Sequence, residues 1–268
     1  GTLRLYCWLM ILLAALALSA LLFAVLWYIS VRLKDPSFVD AWWGFGVVVL
    51  AWATWAMTAR DNAHADHLVS LASLWGLRLG IHLLWRWRKY GPDRRYAALA
   101  RQAHDEHGMD FARFSLLWVF APQWALQFIV ALPVILGQLP PTSERGLLDG
   151  IGWAPAAFGI LYETVADWQL ARFKADAANA GHVMESGLWR YSRHPNYFGE
   201  LCTWWGIWLI AADAGMGLWS LPGPLLLTFL LLRVSGAPTT EPHLERTKAG
   251  YEAYRHRTSA FIPWPPRP

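Results

Sequence analysis

Residues 5–29 read LYCWLMILLAALALSALLFAVLWYI, with no Asp, Glu, Lys or Arg among them. A bilayer core takes about 20 mostly apolar residues as helix, so this run is long enough to cross one. It is too long for the hydrophobic part of a signal peptide, and no small-residue cleavage site follows it. It therefore reads as a first span rather than a removed leader. Working outward, segments 38–59, 67–85, 114–138, 151–171, 196–212 and 217–235 also qualify. The expected fold is all-α: one multi-pass integral membrane domain over residues 1–268 with seven transmembrane helices. Residues 1–138 carry the first four helices, and 151–268 carry the last three and a tail.

Composition agrees with this reading. The chain is 56% hydrophobic and only 16% charged, against about 25% for a water-facing domain. It holds 19 tryptophans, and several mark span ends, as in Trp27-Tyr28, Trp42-Trp43 and Trp85/Trp87. An indole there buries its ring and keeps its N–H wet. Pro122 and Pro133 fall inside the fourth segment and predict kinks. Cys7 and Cys202 sit in apolar runs and read as packing residues.

Seven spans put the termini on opposite sides, and the positive charges divide accordingly. Arg32, Lys34, Arg86, Arg88, Lys89, Arg94, Arg95, Arg101, Arg113, Arg172, Lys174, Arg190, Arg193, Arg246, Lys248, Arg255, Arg257 and Arg267 share one side. Arg4, Arg60 and Arg145 take the other. Short loops rich in Lys and Arg stay cytoplasmic, so the tail is expected in the cytoplasm, below the inner membrane in a bacterium. The net charge of +4 is then a topology signal and not a nucleic-acid surface.

Ionisable side chains inside spans are costly and point to function. They are Asp40, Arg78, Glu163, Asp167, Glu200 and Arg233, with Lys174 two turns beyond Asp167. Glu163, Asp167, Lys174, Asn196, Glu200 and Arg233 lie toward one end of the last three spans, which suggests a wet pocket opening to the cytoplasm. Asp40 and Arg78 are candidates for an internal ion pair. Gly76 and Gly80 form a small-xxx-small pair suited to close helix packing. His64/His67 and His104/His107 have one-turn spacing without a third ligand, so no metal is expected. No Gly-rich phosphate loop follows a strand, so any nucleotide must be held by helices and loops.

Residues 179–209 read NAGHVMESGLWRYSRHPNYFGELCTWWGIWL. Gly187 and Pro195 punctuate a surface loop. Arg190, Arg193 and His194 offer phosphate donors, and Asn196 is a candidate helix cap with Glu200 one turn inside. In the tail, Thr240 is expected to cap a helix running to about Arg257, with Leu244, Tyr251 and Tyr254 on one face.

The string RHPNYFGE (193–200), preceded by GLWRYS and followed by WWG, resembles the steroid 5α-reductase-like family of membrane proteins. Within it, the chain looks like the branch catalogued as a domain of unknown function, DUF1295. The resemblance extends to DPSFVDAWWG (35–44), WGLRLGIHLLWR (75–86), DWQLARFK (167–174), VSGAPTTE (234–241) and YRHRTSAFIPWPP (254–266). It implies a seven-helix fold whose later helices bind NADPH from the cytoplasm. Carried over by motif, the cofactor contacts are Asp167, Lys174, Asn196, Glu200 and Arg233. Arg190, Arg193, His194 and Tyr197 lie in or beside the same motif, and Glu241, Tyr251 and Tyr254 follow in the tail. The steroid enzymes place a Glu and a Tyr near the substrate ketone. By position these fall around Asp40 and Trp75, and neither type is kept, so a steroid is not specified.

The implied chemistry is hydride transfer to a carbonyl-conjugated C=C bond of a lipophilic substrate, a steroid, isoprenoid or lipid acyl chain. Arg78 is expected to stabilise the enolate oxygen and Asp40 to orient Arg78 or relay a proton, with Trp43 and Trp75 walling an apolar pocket. The alternative is a methyltransferase of the isoprenylcysteine or phospholipid type using S-adenosylmethionine, which also carries RHPxY. Those enzymes show paired glutamates after the last span, where this chain has Glu241. A non-enzymatic lipid-binding scaffold is a third reading. Membrane lipids are the expected surroundings; the sequence sets no oligomeric state.

Overall fold

The computed structural model describes residues 2–58, 62–142 and 144–267. Arg60 and the last residue of the 38–59 segment lie outside the described residues. The helices are α1 (Thr2–Leu33), α2 (Val39–Met57), α3 (Ala65–Tyr90), α4 (Arg94–His107), α5 (Phe111–Phe114), α6 (Ala121–Val130) and α7 (Leu132–Leu136), then α8 (Leu147–Ala175), α9 (Pro195–Asp213), α10 (Gly217–Ser220), α11 (Pro222–Phe229), α12 (Ala237–Thr247) and α13 (Tyr251–Arg257). Among the described residues there is no strand, only an isolated bridge between Asn62 and Thr142. Four stretches are long and apolar enough to cross a membrane: Thr2–Leu33, Val39–Met57, Ala65–Tyr90 and Gly217–Thr247.

The other three expected segments are helical but differ from a plain span. The fourth is interrupted, and its two prolines give the reason. A proline lacks the N–H for the helix ladder, and its ring crowds the carbonyl four residues back. A π-helical turn over Ser115–Phe120 runs into Pro122, and the helix breaks at Ala131, two residues before Pro133. α8 and α9 have the length, at 29 and 19 residues, but carry Glu163, Asp167, Lys174 and Glu200.

α1 ends by a backbone device legible in part. Lys34 takes positive φ, and the N–H of Asp35 reaches back to the carbonyl of Ser30 at 3.2 Å, a Schellman-type closure. Pro36 then forbids further helix. Most of the surface of α1 is exposed, including Leu5, Leu9, Met10, Leu13, Leu21 and Val25. A row of this kind suits hydrocarbon and not water.

The chain divides into two compact units, residues 1–149 with 210–223 and residues 150–209 with 224–268. In the first, α2 and α3 meet backbone to backbone. A methyl group at Gly44 would overlap the Gly76 carbonyl oxygen and lie 2.7 Å from the Gly80 nitrogen. The small pair on α3 thus packs on a glycine of α2. Phe23, Val39, Phe114, Val119 and Phe120 form the core beside it. In the second unit, α8 and α9 meet through Gly152, Ala156 and Gly159 on one side and Gly199, Thr203 and Gly206 on the other. The alternating four- and three-residue steps keep each set on one helix face.

Candidate functional site

In the second unit the motif loop is tied to the tail. Ser186 precedes a 3₁₀ turn, Gly187–Arg190, whose Leu188 N–H donates to Gln169 Oε1 at 2.9 Å. The buried Trp189 donates from Nε1 to the Ala166 carbonyl at 3.0 Å. Arg193 then clamps the chain to its own C-terminus. Its Nε donates to Glu241 Oε1 at 2.9 Å, and its Nη2 to Glu241 Oε2 at 3.4 Å. Its Nη1 donates to the carbonyls of Arg255 and Thr258 at 2.9 and 3.0 Å, and its backbone N–H to Ser259 at 2.9 Å. Nearly the whole guanidinium fork is engaged within the chain. His194, buried, sets Nε2 at 2.9 Å from Glu241 Oε1. A carboxylate only accepts, so Nε2 carries the proton there.

Tyr254 completes the clamp by donating its O–H to the Trp189 carbonyl at 2.5 Å. Ser192 Oγ donates to the Phe261 carbonyl at 2.7 Å. Burial pushes the Tyr251 phenol up to about 12, with the Glu241 charge adding to it. Burial likewise raises Tyr254. Both phenols therefore stay neutral as packing groups. Two expectations are corrected. Thr240 does not cap one long tail helix: it lies inside α12 and donates to the Gly236 carbonyl, while Gly250, at positive φ, separates α12 from α13. Asn196 is not a cap either, because α9 starts at Pro195, a favoured first helical residue with no N–H to satisfy.

Asn196 instead turns toward α8. Its Nδ2 donates to Asp167 Oδ1 at 3.2 Å, while its Oδ1 is buried with no partner among the described residues. Glu163 is one turn before Asp167 and 2% exposed, packed where Gly199 leaves room for it. Glu200 and Tyr197 are half-buried, and Tyr197 stacks on His194 with ring centroids 5.3 Å apart. Lys174, Arg190 and Arg233 are exposed. Among the site residues expected in this unit, two groups are brought together. Arg193, His194, Glu241 and Tyr254 build a clamp, whereas Asp167 and Asn196 form a pair in which the Asn196 Oδ1 has no partner among the described residues.

In the first unit Asp40 and Trp43 share one network. Tyr96 of α4 donates to Asp40 Oδ1 at 2.7 Å and accepts from Gln123 Nε2 at 3.2 Å, and Trp43 Nε1 donates to Gln123 Oε1 at 2.8 Å. The expected Asp40–Arg78 pair does not form. Asp40 has Tyr96 and, at 3.9 Å, Arg95, because the glycine contact sets Arg78 level with Gly44, one turn further along α2. Trp75 is 1% exposed and Arg78 half-buried, one turn apart on α3. The motif before α2 is structural. Asp35 Oδ1 accepts from the N–H and the hydroxyl of Ser37, and its Oδ2 from Trp87 Nε1 at 2.8 Å. Asp93 caps α4 through the Arg95 N–H at 2.9 Å. Burial opposes its charge, but the Arg95 side chain holds the carboxyl below the usual range.

Sequence reasoning missed the polar latches at Tyr96, Gln123 and Asp213. Asp213 Oδ2 meets His64 Nε2 at 2.7 Å and also accepts from the backbone of Gly146, with Oδ1 taking the Leu148 N–H. Their partners are remote in the chain, and only the His64-to-Asp213 chemistry could have hinted at a pair. No group of three His, Cys, Asp or Glu residues is placed to hold a metal ion among the described residues.

Comparison with curated proteins and with solved structures finds no match to this chain. Residues 26–258 match the family described as protein of unknown function DUF1295. That span includes α2, α3, the Asp167–Asn196 pair and the Arg193 clamp, so the chain belongs to the DUF1295 family.

Proposed function

We propose that this protein is an NADPH-dependent reductase of a carbon–carbon double bond in a lipophilic substrate. The reading takes seven spans, with the tail on the cytoplasmic side. One observation carries it: the buried Asn196 Oδ1, an acceptor with no donor among the described residues, on a side chain that itself donates to Asp167. A buried acceptor left unpaired costs about 1–3 kcal/mol, which a ligand donor offsets. A ribose hydroxyl and a carboxamide N–H are donors of the right kind, and the exposed Lys174, Arg190 and Arg233 suit phosphate. The donor and acceptor set therefore fits a dinucleotide. Arg193 and His194 are left out of it, because Glu241 already holds them.

When bound, the cofactor supplies the hydride. Among this chain's own residues, Arg78 is assigned to the negative charge that develops on the substrate carbonyl oxygen. Trp75 and Trp43 exclude water. Asp40, hydrogen-bonded to Tyr96, fixes Trp43 through Gln123. The S-adenosylmethionine alternative leans on a tail acid at the cofactor, and here that acid is engaged by Arg193 and His194.

Detergent-purified protein titrated separately with NADPH, NADH and S-adenosylmethionine tests the reading. Saturable NADPH binding that is lost in Asp167→Asn/Asn196→Ala supports it. Saturable binding of S-adenosylmethionine alone sinks it.

A further inference from the structure

The tail carries a second polar feature that the reductase reading does not use. A cavity of about 320 Å³ is lined by Arg193, Arg255, His256, Arg257 and Arg267, with Trp264 as one wall. No acidic side chain lines it. Among these, Arg193 has its fork held by Glu241. Arg255 and Arg257 are each tethered by a single contact to an acid outside the cavity, Glu245 and Glu185. An arginine carries five N–H donors, so both keep most of their fork free. The guanidinium of Arg267 and the ring of His256 have no partner among the described residues, although the Arg267 backbone N–H is fixed to the Arg257 carbonyl at 2.9 Å. Like charges set around one space repel, and an anion held between them lowers that repulsion.

The rim says which anion. Trp264 and Ile262 are 68% and 66% exposed, yet the Trp264 backbone is pinned by its N–H to the Tyr191 carbonyl at 3.0 Å. An exposed indole set among arginines, on a backbone fixed to the rest of the tail, matches the boundary between headgroups and acyl chains, with the exposed Ile262 two residues before it. A soluble anion needs no such rim. We propose that this cavity receives the phosphate ester of an anionic phospholipid, with Trp264 and Ile262 entering the acyl boundary beside it. The lipid thereby holds the clamped tail against the membrane surface. The assignment does not depend on the reductase reading.

Native mass spectrometry of the full chain, titrated with phosphatidylglycerol or phosphatidylcholine, tests this. The wild type retains phosphatidylglycerol in preference to phosphatidylcholine. Arg267→Gln, a surface change next to the chain end, weakens that retention about fivefold, the effect of one cation at a headgroup. Glu185→Gln, which frees Arg257, strengthens it by a similar factor and shows that the tail is still folded. Equal retention of the two lipids, or identical titrations of wild type and both variants, overturns the site. Inorganic phosphate that displaces the lipid at millimolar concentration overturns the lipid assignment in favour of a free anion.

Discussion

The two glycine-lined helix contacts, α2 with α3 and α8 with α9, use one device for different ends. Removing a side chain lets two backbones touch, which in a lipid surrounding is the main route to tight helix association. Between α2 and α3 the contact is made of Gly44, Gly76 and Gly80, with no carboxylate among the groups that meet at these glycines. Between α8 and α9 the same approach brings Glu163 against Gly199 and places Asp167 next to Asn196. The first contact packs; the second packs around charge. Burying a charge costs solvation that its partners must offset, so a contact packed around two carboxylates carries a cost that glycines alone do not. Stability given up within a fold is where ligand chemistry is best sought.

Breaking both contacts gives the largest expected effect. In Gly44→Val the new side chain overlaps the Gly76 carbonyl, and in Gly199→Val it meets the Glu163 nitrogen, 2.7 Å from the added carbon. Backbone cannot yield as a flexible side chain does, so each variant loses about 3 kcal/mol or more. Thermal unfolding in detergent should show both as poorly folded or strongly destabilised. A Gly199→Val protein with wild-type melting would mean that α8 and α9 do not touch there.

Next in size is the clamp of the second unit, set against the latch of the first. Arg193→Ala leaves the Glu241 carboxylate, half-buried, with His194 alone and frees two tail carbonyls. Losing one partner of such a pair costs about 2–3 kcal/mol. The tail should then open to trypsin at Arg255 and Arg257 while the rest of the chain stays resistant. Tyr96→Phe removes the bond to Asp40 and the weaker one from Gln123, costs about 1–2 kcal/mol and leaves the tail protected. Equal tail cleavage in the two variants would remove the distinction between clamp and latch.

The sequence made some of this legible. The apolar run of α1, the small pair at Gly76 and Gly80, and the dense motif at 193–200 point to helices, to a close contact and to a site. These are local signals, set by periodicity and by residue type. Other features depend on chain segments far apart. Arg193 offers a phosphate fork by its type, and only the fold shows that Glu241, 48 residues on, holds it. Asp40 and Arg78 look complementary, yet the register set by Gly44 separates them and gives Asp40 to Tyr96. Pro122 and Pro133 announce kinks, but whether a kink becomes a π turn or a break is settled by packing.

The smallest effect is expected at Asp213, and it concerns acid. Burial opposes the Asp213 charge, but His64 and the backbone N–H groups of Gly146 and Leu148 outweigh it and hold the carboxyl below its usual 3.8. A carboxylate with a lowered folded value contributes stability above the unfolded value and loses it as pH falls through the folded one. Melting temperature should therefore hold from pH 7 down to about 4 on this account and decline below that. Asp213→Asn should melt lower at pH 7, by about 1–2 kcal/mol of stability, since a neutral amide is a weaker acceptor for three donors. Its acid decline should also be shallower than that of the wild type. If the two proteins lose stability in parallel below pH 4, the acid-sensitive group is another carboxylate, and the His64–Asp213 contact only fills space.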